Sequence, residues 1–211
     1  GHWTPRAGKW SSSRSSGGAL TPEQEETCDA IVQAWYAGEQ GGHALADVLF
    51  GDYNPSGKLA VTFYKDDTQL PPFEDYRMTG RTYRYLTEEP LFPFGFGLSY
   101  TTFKVGRPRY KDGQVQVRVS NTGHREGETV VQVYFRRVDD AAGPQRMLCA
   151  FLRVLLQAGE SKRLLIDVPR RSLETWDAAS NTMRVVPGRY ELMAGTSSAA
   201  DQLSATRVNI Q

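Results

Sequence analysis

In the first third of the chain, apolar residues form two short runs and one helical pattern. The runs at residues 30–35 and 59–64 predict buried strands. A helix is predicted from His43, because apolar residues recur there at the spacing of one helix face and Gly51 is suited to end it. A capping-box pattern predicts a further short helix over residues 22–28. This order of elements indicates an α/β unit.

In the second half of the chain, apolar and polar residues alternate over short segments. Residues 114–119 alternate strictly, which predicts a strand with one buried face. Turn residues such as Asp112-Gly113 and Pro187-Gly188 separate the segments. We predict seven strands, at residues 99–105, 114–120, 128–138, 146–156, 160–168, 183–186 and 189–195. Strands of this length and spacing indicate an all-β sandwich of the immunoglobulin or fibronectin type III kind.

Composition divides the chain into four stretches. Residues 1–17 are rich in serine and glycine without periodicity, which predicts a disordered tail. Residues 18–64 are expected to hold a partial α/β sandwich domain, residues 65–98 an aromatic and proline-rich connector, and residues 99–211 a fibronectin type III-like domain. Two helix–strand units cannot cover both faces of a parallel sheet. The predicted fold class is therefore an α/β remnant of a larger domain followed by an all-β sandwich.

Charge and composition argue against several classes of binding partner. The 211 residues contain 25 lysines and arginines and 24 aspartates and glutamates, so the net charge of +1 offers no attraction for nucleic acid. No apolar run reaches the roughly 18 residues of a membrane span, and no signal peptide is visible, so a membrane is not an expected partner. Cys28, Cys149 and the three histidines lack the spacing of a metal site, and neither a metal nor a cofactor is expected.

Four blocks of the sequence resemble family 3 glycoside hydrolases. The first covers residues 30–59, which include AIVQAWYAGEQGG and ALADVLFGDYNPSGKL. The second is PLFPFGFGLSY at residues 90–100, which is similar to the segment that joins that family's α/β sandwich domain to its fibronectin-like domain. The turns at residues 158–162 and 186–191 are similar to turns of that last domain. The resemblance covers residues 18–198, in the expected order and spacing.

The resemblance implies a retaining β-glycosidase, which uses two carboxylates about 5–5.5 Å apart as nucleophile and acid/base. In that family the nucleophilic aspartate lies on an N-terminal (β/α)8 barrel, and the acid/base glutamate lies in the second domain, upstream of residues 30–42. Neither position exists in this chain, so no catalytic residue is assigned, the substrate-binding residues are unknown, and the chain alone is expected to be inactive.

Partners and compartment follow from the same resemblance. A glycoside or oligosaccharide is expected as substrate only in the intact enzyme, and a separately encoded barrel-bearing chain is a candidate partner. The alternative is a non-catalytic fibronectin-like module that binds polysaccharide or docks on a glycosidase. Intact family members are often secreted or periplasmic, which leaves the compartment of this chain open.

Five adjacent acidic pairs are candidates for catalytic carboxylates. Neighbouring residues in a strand point to opposite faces, so we expect solvated loop charges at Glu25-Glu26, Asp66-Asp67, Glu74-Asp75, Glu88-Glu89 and Asp139-Asp140. Glu39 differs, because it lies beside a helix start among glycines. It is expected to cap that helix or to bind its free N–H groups, and a sugar contact in an intact enzyme is the alternative.

Residues 80–86, GRTYRYL, are similar to a stretch common in the β-xylosidase-like branch of the family. The β-glucosidase branch more often has a Gly-Tyr-Arg-Tyr variant there, so the segment favours a xyloside over a glucoside. The structural interpretation of the same segment is that Arg81 and Arg84 stack on Tyr83 and Tyr85 or pair with acidic residues of the connector.

Two further features have two interpretations each. We expect a group of aromatic residues to fill a core between the two domains, with a sugar-stacking platform as the alternative: Phe92, Phe94, Phe96 and Tyr100. Residues 10–16 are serine-rich where the family places an apolar strand. An out-of-frame remnant of that strand and a natural flexible tail both fit this composition.

Overall fold

The computed structural model describes Glu26 and residues 28–211. The predicted tail at residues 1–17 lies outside the described residues, as does the predicted helix over residues 22–28 apart from its two described positions. The described chain has a small helical and irregular N-terminal part and then a fibronectin type III-like β-sandwich. The predicted fold class is therefore confirmed.

Helix α1 spans Gly41–Phe50, close to the predicted start at His43. Gly51 ends it in the left-handed conformation, with φ 85°, and its N–H donates to the carbonyl of Val48 at 3.2 Å. An L-residue adopts this conformation only with strain, so glycine is the natural residue at the end of a helix. The helix predicted from periodicity is confirmed.

The strand predicted at residues 59–64 is wrong. The β-pairing in this stretch is a single isolated bridge between Phe63 and Phe92 of the connector. The N–H of Leu59 donates to the carbonyl of Phe96 at 2.8 Å. An apolar run predicts burial, but a strand also needs a neighbouring strand along its length. Here the backbone bonds to an irregular connector instead.

The strand predicted at residues 30–35 is also wrong. The segment has no regular structure, and no described strand pairs with it. Trp35 has φ 50°, which lies outside the extended region that a strand requires. The connector holds a 3-10 helix at Asp67–Gln69 and the one-turn helix α2 at Thr82–Tyr85.

Ten strands follow in the described structure. Their bounds are β1 Phe103–Val105, β2 Arg109–Lys111, β3 Gln114–Asn121, β4 Gly127–Arg137, β5 Met147–Leu156, β6 Ser161–Asp167, β7 Thr175–Asp177, β8 Thr182–Arg184, β9 Gly188–Gly195 and β10 Ser204–Ile210. The seven predicted strands correspond to β1, β3, β4, β5, β6, β8 and β9. Strands β2, β7 and β10 were not predicted from the sequence.

Two antiparallel sheets form the sandwich. In the first, β6 pairs along the length of β3, while β1 and β2 pair with opposite ends of β3 and therefore lie along its other edge. The second sheet has the order β10-β9-β4-β5. Strands β7 and β8 form a separate hairpin.

The core lies between the two sheets. Strand β3 contributes Val115, Val117 and Val119, in the alternation that its sequence predicts. The facing residues of β4 include Val131 and Val133. Burying each such side chain contributes roughly 1.5–3 kcal/mol. The opposite face of β4 is covered by the connector, and the junction between the two parts forms there.

Candidate functional site

Asn54 joins three segments at the junction between the N-terminal part and the sandwich. Its Nδ2 donates to the carbonyl of Glu126 at 2.8 Å, in the β3–β4 connection. Its Oδ1 accepts from the hydroxyl of Ser99 and from the N–H of Tyr100, each at 2.8 Å. Residues 52–58 were predicted from the sequence only as a turn. The polar side chains of Asn54, Ser56 and Lys58 were the sequence feature that could have indicated hydrogen bonds from this turn to other segments.

Ser56 is the polar centre of a second contact, between the same turn and the sandwich. Its side chain is buried, and its Oγ donates to Glu128 Oε2 on β4 at 3.4 Å. Arg153 on β5 donates to Ser56 and forms an ion pair with Glu128, with Nε and Oε2 3.2 Å apart. This network holds the turn against the edge of the second sheet.

Lys58 crosses from the turn to the start of the sandwich. Its Nζ donates to the carbonyl of Gly97 at 2.7 Å, and burial lowers the pKa of the ammonium group to about 8. A Cβ on Gly97 would overlap the carbonyl oxygen of Gly57. The two backbones therefore approach as closely as glycine permits.

Aromatic side chains of the connector fill the space above β4. Tyr83 stacks on Phe94 with ring centroids 4.3 Å apart, and it meets the fully buried Tyr134 edge-on at 5.9 Å. Phe92 and Phe96 lie 5.3 Å apart, and both are half-buried. These contacts support the expected core between the two parts.

Tyr100 connects helix α1 to the sandwich. Its hydroxyl donates to the carbonyl of Val48, near the end of the helix. The guanidinium of Arg125 lies over its ring, 5.5 Å from the centroid, and also donates to the carbonyl of Gly51. The cationic group therefore sits at the C-terminus of α1, where the helix dipole favours positive charge. Neither residue was singled out for this contact from the sequence.

The adjacent acidic residues that the structure describes are mostly loop charges, as expected, although Glu26 is helical and Asp67 begins a 3-10 helix. The described members are exposed except Asp75, which is half-buried, and Glu25 lies outside the described residues. Asp75 binds Arg77 through both oxygens, with Nη2 and Oδ2 2.7 Å apart. Asp139 accepts from Arg189 Nε at 3.1 Å. Hydrogen bonds from these arginines hold the pKa of both carboxyl groups below the usual range.

Three further carboxyl groups have a lowered pKa. The Thr68 side chain and N–H lower the pKa of Asp66 by hydrogen bonding, and the Gln157 N–H does the same for Glu160. Ser180 and Arg184 donate to Asp177 with the same effect. Among the described residues, every carboxyl group with a resolved pKa shift is shifted downward. A general acid for glycosidase chemistry requires the opposite shift.

Glu39 does not cap helix α1. The N-cap residue is Gln40, and its side chain makes no capping hydrogen bond. The Gln40 carboxamide instead accepts from His43, whose Nδ1 lies 2.8 Å from Oε1. Glu39 is exposed in the preceding turn. The capping prediction is wrong, because the helix begins at Gly41 and its N-cap position is therefore occupied by Gln40 and not by Glu39.

The two connector arginines behave differently. Arg84 lies over the ring of Tyr83, 6.0 Å from its centroid, as the stacking interpretation expects. Among the described residues, Arg81 has neither an aromatic ring to stack on nor a carboxylate partner. Its guanidinium donates to the carbonyls of Arg77 at 3.1 Å and Asp75 at 2.5 Å, so it folds the connector back on itself.

Three kinds of side chain in the described part of the chain bear on metal binding: histidine, cysteine and the acidic residues. Within that part of the chain, no group of three or more histidine, cysteine or acidic side chains is close enough to hold a metal ion. None of the described helices has the length and apolar character needed to cross a membrane. Cys149 is buried in the sandwich, and burial raises the pKa of its thiol to about 12.

Two family models match the chain. The glycosyl hydrolase family 3 C-terminal domain matches residues 13–100, and the fibronectin type III-like domain matches residues 129–198. The junction described above joins the two matched regions, since Ser56 lies within the first match and its partner Arg153 within the second.

Curated relatives match almost the whole chain. A xylan 1,4-β-xylosidase from Xylanibacter ruminicola is 52% identical over 198 residues, which are 91% of this chain and 23% of that protein. A periplasmic β-glucosidase from Salmonella typhimurium is 38% identical, over 84% of this chain and 26% of its own length. The chain therefore spans about a quarter of the length of these relatives.

Solved structures agree with the sequence relatives. The β-glucosidase DesR from Streptomyces venezuelae has a TM-score of 0.80 at 34% identity, over 92% of this chain and 28% of that one. The β-glucosidase from Kluyveromyces marxianus also has a TM-score of 0.80, at 33% identity, over 93% and 26% of the two chains. Both sequence and fold thus match one portion of longer proteins.

Proposed function

Since the chain belongs to glycosyl hydrolase family 3, we propose that it is the C-terminal part of a retaining β-glycosidase. The observation that carries this proposal is the match of nearly the whole chain to about a quarter of longer relatives. The sandwich would brace the α/β part through the junction. We place the division at residues 18–64, 65–98 and 99–211, and the end of the first family match at residue 100 supports the last of these boundaries.

The catalytic carboxylates are proposed to lie on a part of the enzyme outside this chain. A retaining glycosidase needs one carboxyl group with a raised pKa beside an ionised one. The five carboxyl groups whose pKa is shifted, Asp66, Asp75, Asp139, Glu160 and Asp177, all have a lowered pKa, and each accepts hydrogen bonds from its own donors. These groups would therefore be ionised at neutral pH. A general acid must carry a proton at that pH, so they are unsuited to the role.

β-Linked xylosides are the proposed substrates of the intact enzyme, with β-glucosides second. The connector sequence at residues 80–86 favours the β-xylosidase-like branch. A relative named as a xylan 1,4-β-xylosidase is 52% identical, whereas a relative named as a β-glucosidase is 38% identical. Arg84 and Tyr83, within this segment, pack toward the sandwich and thus tie the segment to the junction.

The connector is the proposed docking surface for the barrel-bearing part. Phe73 is 88% exposed and Tyr76 is 87% exposed, and the nearby Leu70 and Met78 are also exposed. Large apolar side chains grouped in one segment are unusual on a free surface and indicate a contact surface. The remaining three quarters of a family 3 chain would supply the matching surface.

A complementation assay tests the proposal. The purified chain is mixed with the part of the Xylanibacter ruminicola relative that it does not match, and release of 4-nitrophenol from the β-xyloside and the β-glucoside is followed. We expect no turnover by the chain alone and turnover by the mixture, faster on the xyloside. The relative's own C-terminal part serves as the positive control for refolding of that partner.

Variants of the connector test whether loss of complementation comes from loss of docking or from removal of any exposed aromatic side chain. Phe73→Ser and Tyr76→Ser together should lower complementation, whereas Trp176→Ser, an exposed aromatic in the β7–β8 hairpin, should not. Turnover by the chain alone would overturn the assignment of the carboxylates to another part. Failure to complement while the positive control succeeds would overturn the docking proposal.

A further inference from the structure

A cavity of about 230 Å³ opens on the outward face of the second sheet. Strands β4, β9 and β10 form its floor, and the segment before β5 forms one wall. Its polar lining consists of Arg136, Gln145, Arg146 and Glu191, and the remaining lining residues are small or apolar. A concave site with few convergent polar groups is typical of ligand binding.

The charges in this cavity do not balance. Glu191 on β9 is paired with Arg136 on β4, with Oε2 and Nε 2.7 Å apart. Arg146 has no ion-pair partner within residues 28–211, and its Nη1 donates to the carbonyl of Ser198. One acidic group therefore faces two guanidinium groups, which leaves one positive charge in the cavity.

Arg146 also has an unused donor. Its Nε is buried and has no hydrogen-bond partner among the described residues. Burial lowers the pKa of Arg146, and the nearby positive charge of Arg136 acts in the same direction. Holding a charged group away from water without a counter-charge is unfavourable, and an anion in the cavity would compensate the unpaired charge of this guanidinium.

Neighbouring contacts hold the cavity wall in place. The N–H of Gln145 donates to the carbonyl of Arg84 at 2.7 Å, and its Nε2 donates to the carbonyl of Leu86 at 3.2 Å. The segment that carries Arg146 is therefore tied to the connector. A guanidinium in a prearranged position suits recognition of planar or tetrahedral oxyanions.

We propose that this cavity binds a small oxyanion, a carboxylate or a phosphate, through Arg146 with Arg136 at its rim. The volume suits a single anionic group with at most one attached sugar ring. The site lies on the opposite side of β4 from the sandwich core, and the charge imbalance at the two arginines is what selects an anion.

Titration of the full chain tests this site. Binding of inorganic phosphate, acetate and glucuronate is measured by calorimetry and thermal shift, against chloride at the same ionic strength and against neutral glucose. We expect saturable binding of at least one of the three oxyanions. A preference for glucuronate would identify a carboxylate-bearing sugar as the source, and a preference for phosphate would identify the free anion.

Matched variants locate the binding. Arg146→Met should weaken oxyanion binding about tenfold or more, because hydrogen bonds to charged groups are among the strongest in proteins. Arg136→Gln should weaken it by a smaller factor, and this exposed position keeps the test valid if Arg146→Met does not fold. Arg184→Gln, paired with Asp177 in the β7–β8 hairpin, should bind as the parent does. Equal affinity in all three variants, or no oxyanion effect beyond that of chloride, would overturn the proposal.

Discussion

Gly95 lies at the tightest contact between the connector and the second sheet. It has φ 79°, and an added Cβ would overlap the carboxamide of Gln132, with Cδ only 2.7 Å away. Gln132 is buried, and its Nε2 donates to the carbonyls of Gly95 at 3.1 Å and Thr196 at 2.8 Å. Its Oε1 accepts from the hydroxyl of Tyr134. A Gly95→Ala change would therefore disturb both the backbone and a buried network.

The expected cost of Gly95→Ala has two parts. Holding an alanine at positive φ costs about 1–2 kcal/mol. Displacing the Gln132 carboxamide leaves buried donors or acceptors unpaired, which costs about 1–3 kcal/mol more. The free energy of unfolding should therefore fall by about 2–5 kcal/mol.

Gly113→Ala is the matched control. Gly113 has φ 81°, but no atom lies within 4 Å of the position of its Cβ. The free energy of unfolding of Gly113→Ala should therefore fall only by the cost of an alanine at positive φ, about 1–2 kcal/mol. Urea unfolding followed by tryptophan fluorescence and circular dichroism compares the two. With a slope of about 2 kcal/mol per molar urea, the midpoints should differ by about 1 M. Equal midpoints for the two variants would refute the role given to the Gln132 contact.

Three further changes test the junction and the core. Asn54→Ala removes three hydrogen bonds across the junction and should lower the free energy of unfolding by about 2–3 kcal/mol in urea; no loss would contradict its joining role. Because burial lowers the pKa of Lys58 to about 8 in the folded state, the folded protein releases this proton before the unfolded chain does. Stability should thus rise from pH 8 to pH 10 by up to about 3 kcal/mol, and Lys58→Met should flatten this rise in thermal melts. A parallel pH profile in both proteins would contradict the assignment. Because burial raises the pKa of Cys149 to about 12, its thiol should react with a disulfide reagent at pH 8 roughly a thousandfold more slowly than in the urea-unfolded chain. Rapid labelling of Cys149 in the folded protein would show that the sandwich opens there.

The elements predicted correctly depend on neighbours in the sequence. Helix α1 follows from apolar spacing and a terminal glycine at Gly51, and β3 follows from strict alternation at residues 114–119. Both signals arise from the geometry of a single element and need no distant partner. The resemblance to family 3 glycoside hydrolases likewise rested on contiguous blocks, and the family matches support it.

The junction was only partly predictable. The aromatic block at residues 90–100 was expected to fill a core between the two parts, and it does. The contacts of Asn54, Ser56 and Lys58 were missed, because a turn sequence shows that the chain reverses without showing what its side chains reach. Their partners lie 39 to 97 positions away in the sequence.

By itself, the sequence determined the period of helix α1 and of strand β3, the change from an α/β part to a β-sandwich, and the family. The tertiary structure decided which apolar segments became strands. Residues 30–35 and 59–64 have strand-like composition, and no strand of the described residues lies beside them, whereas the polar segment of β10, Ser204–Ile210, pairs along its whole length with β9. Strand pairing and charge balance, as at Arg146, depend on groups brought together from distant positions, and no local pattern records them.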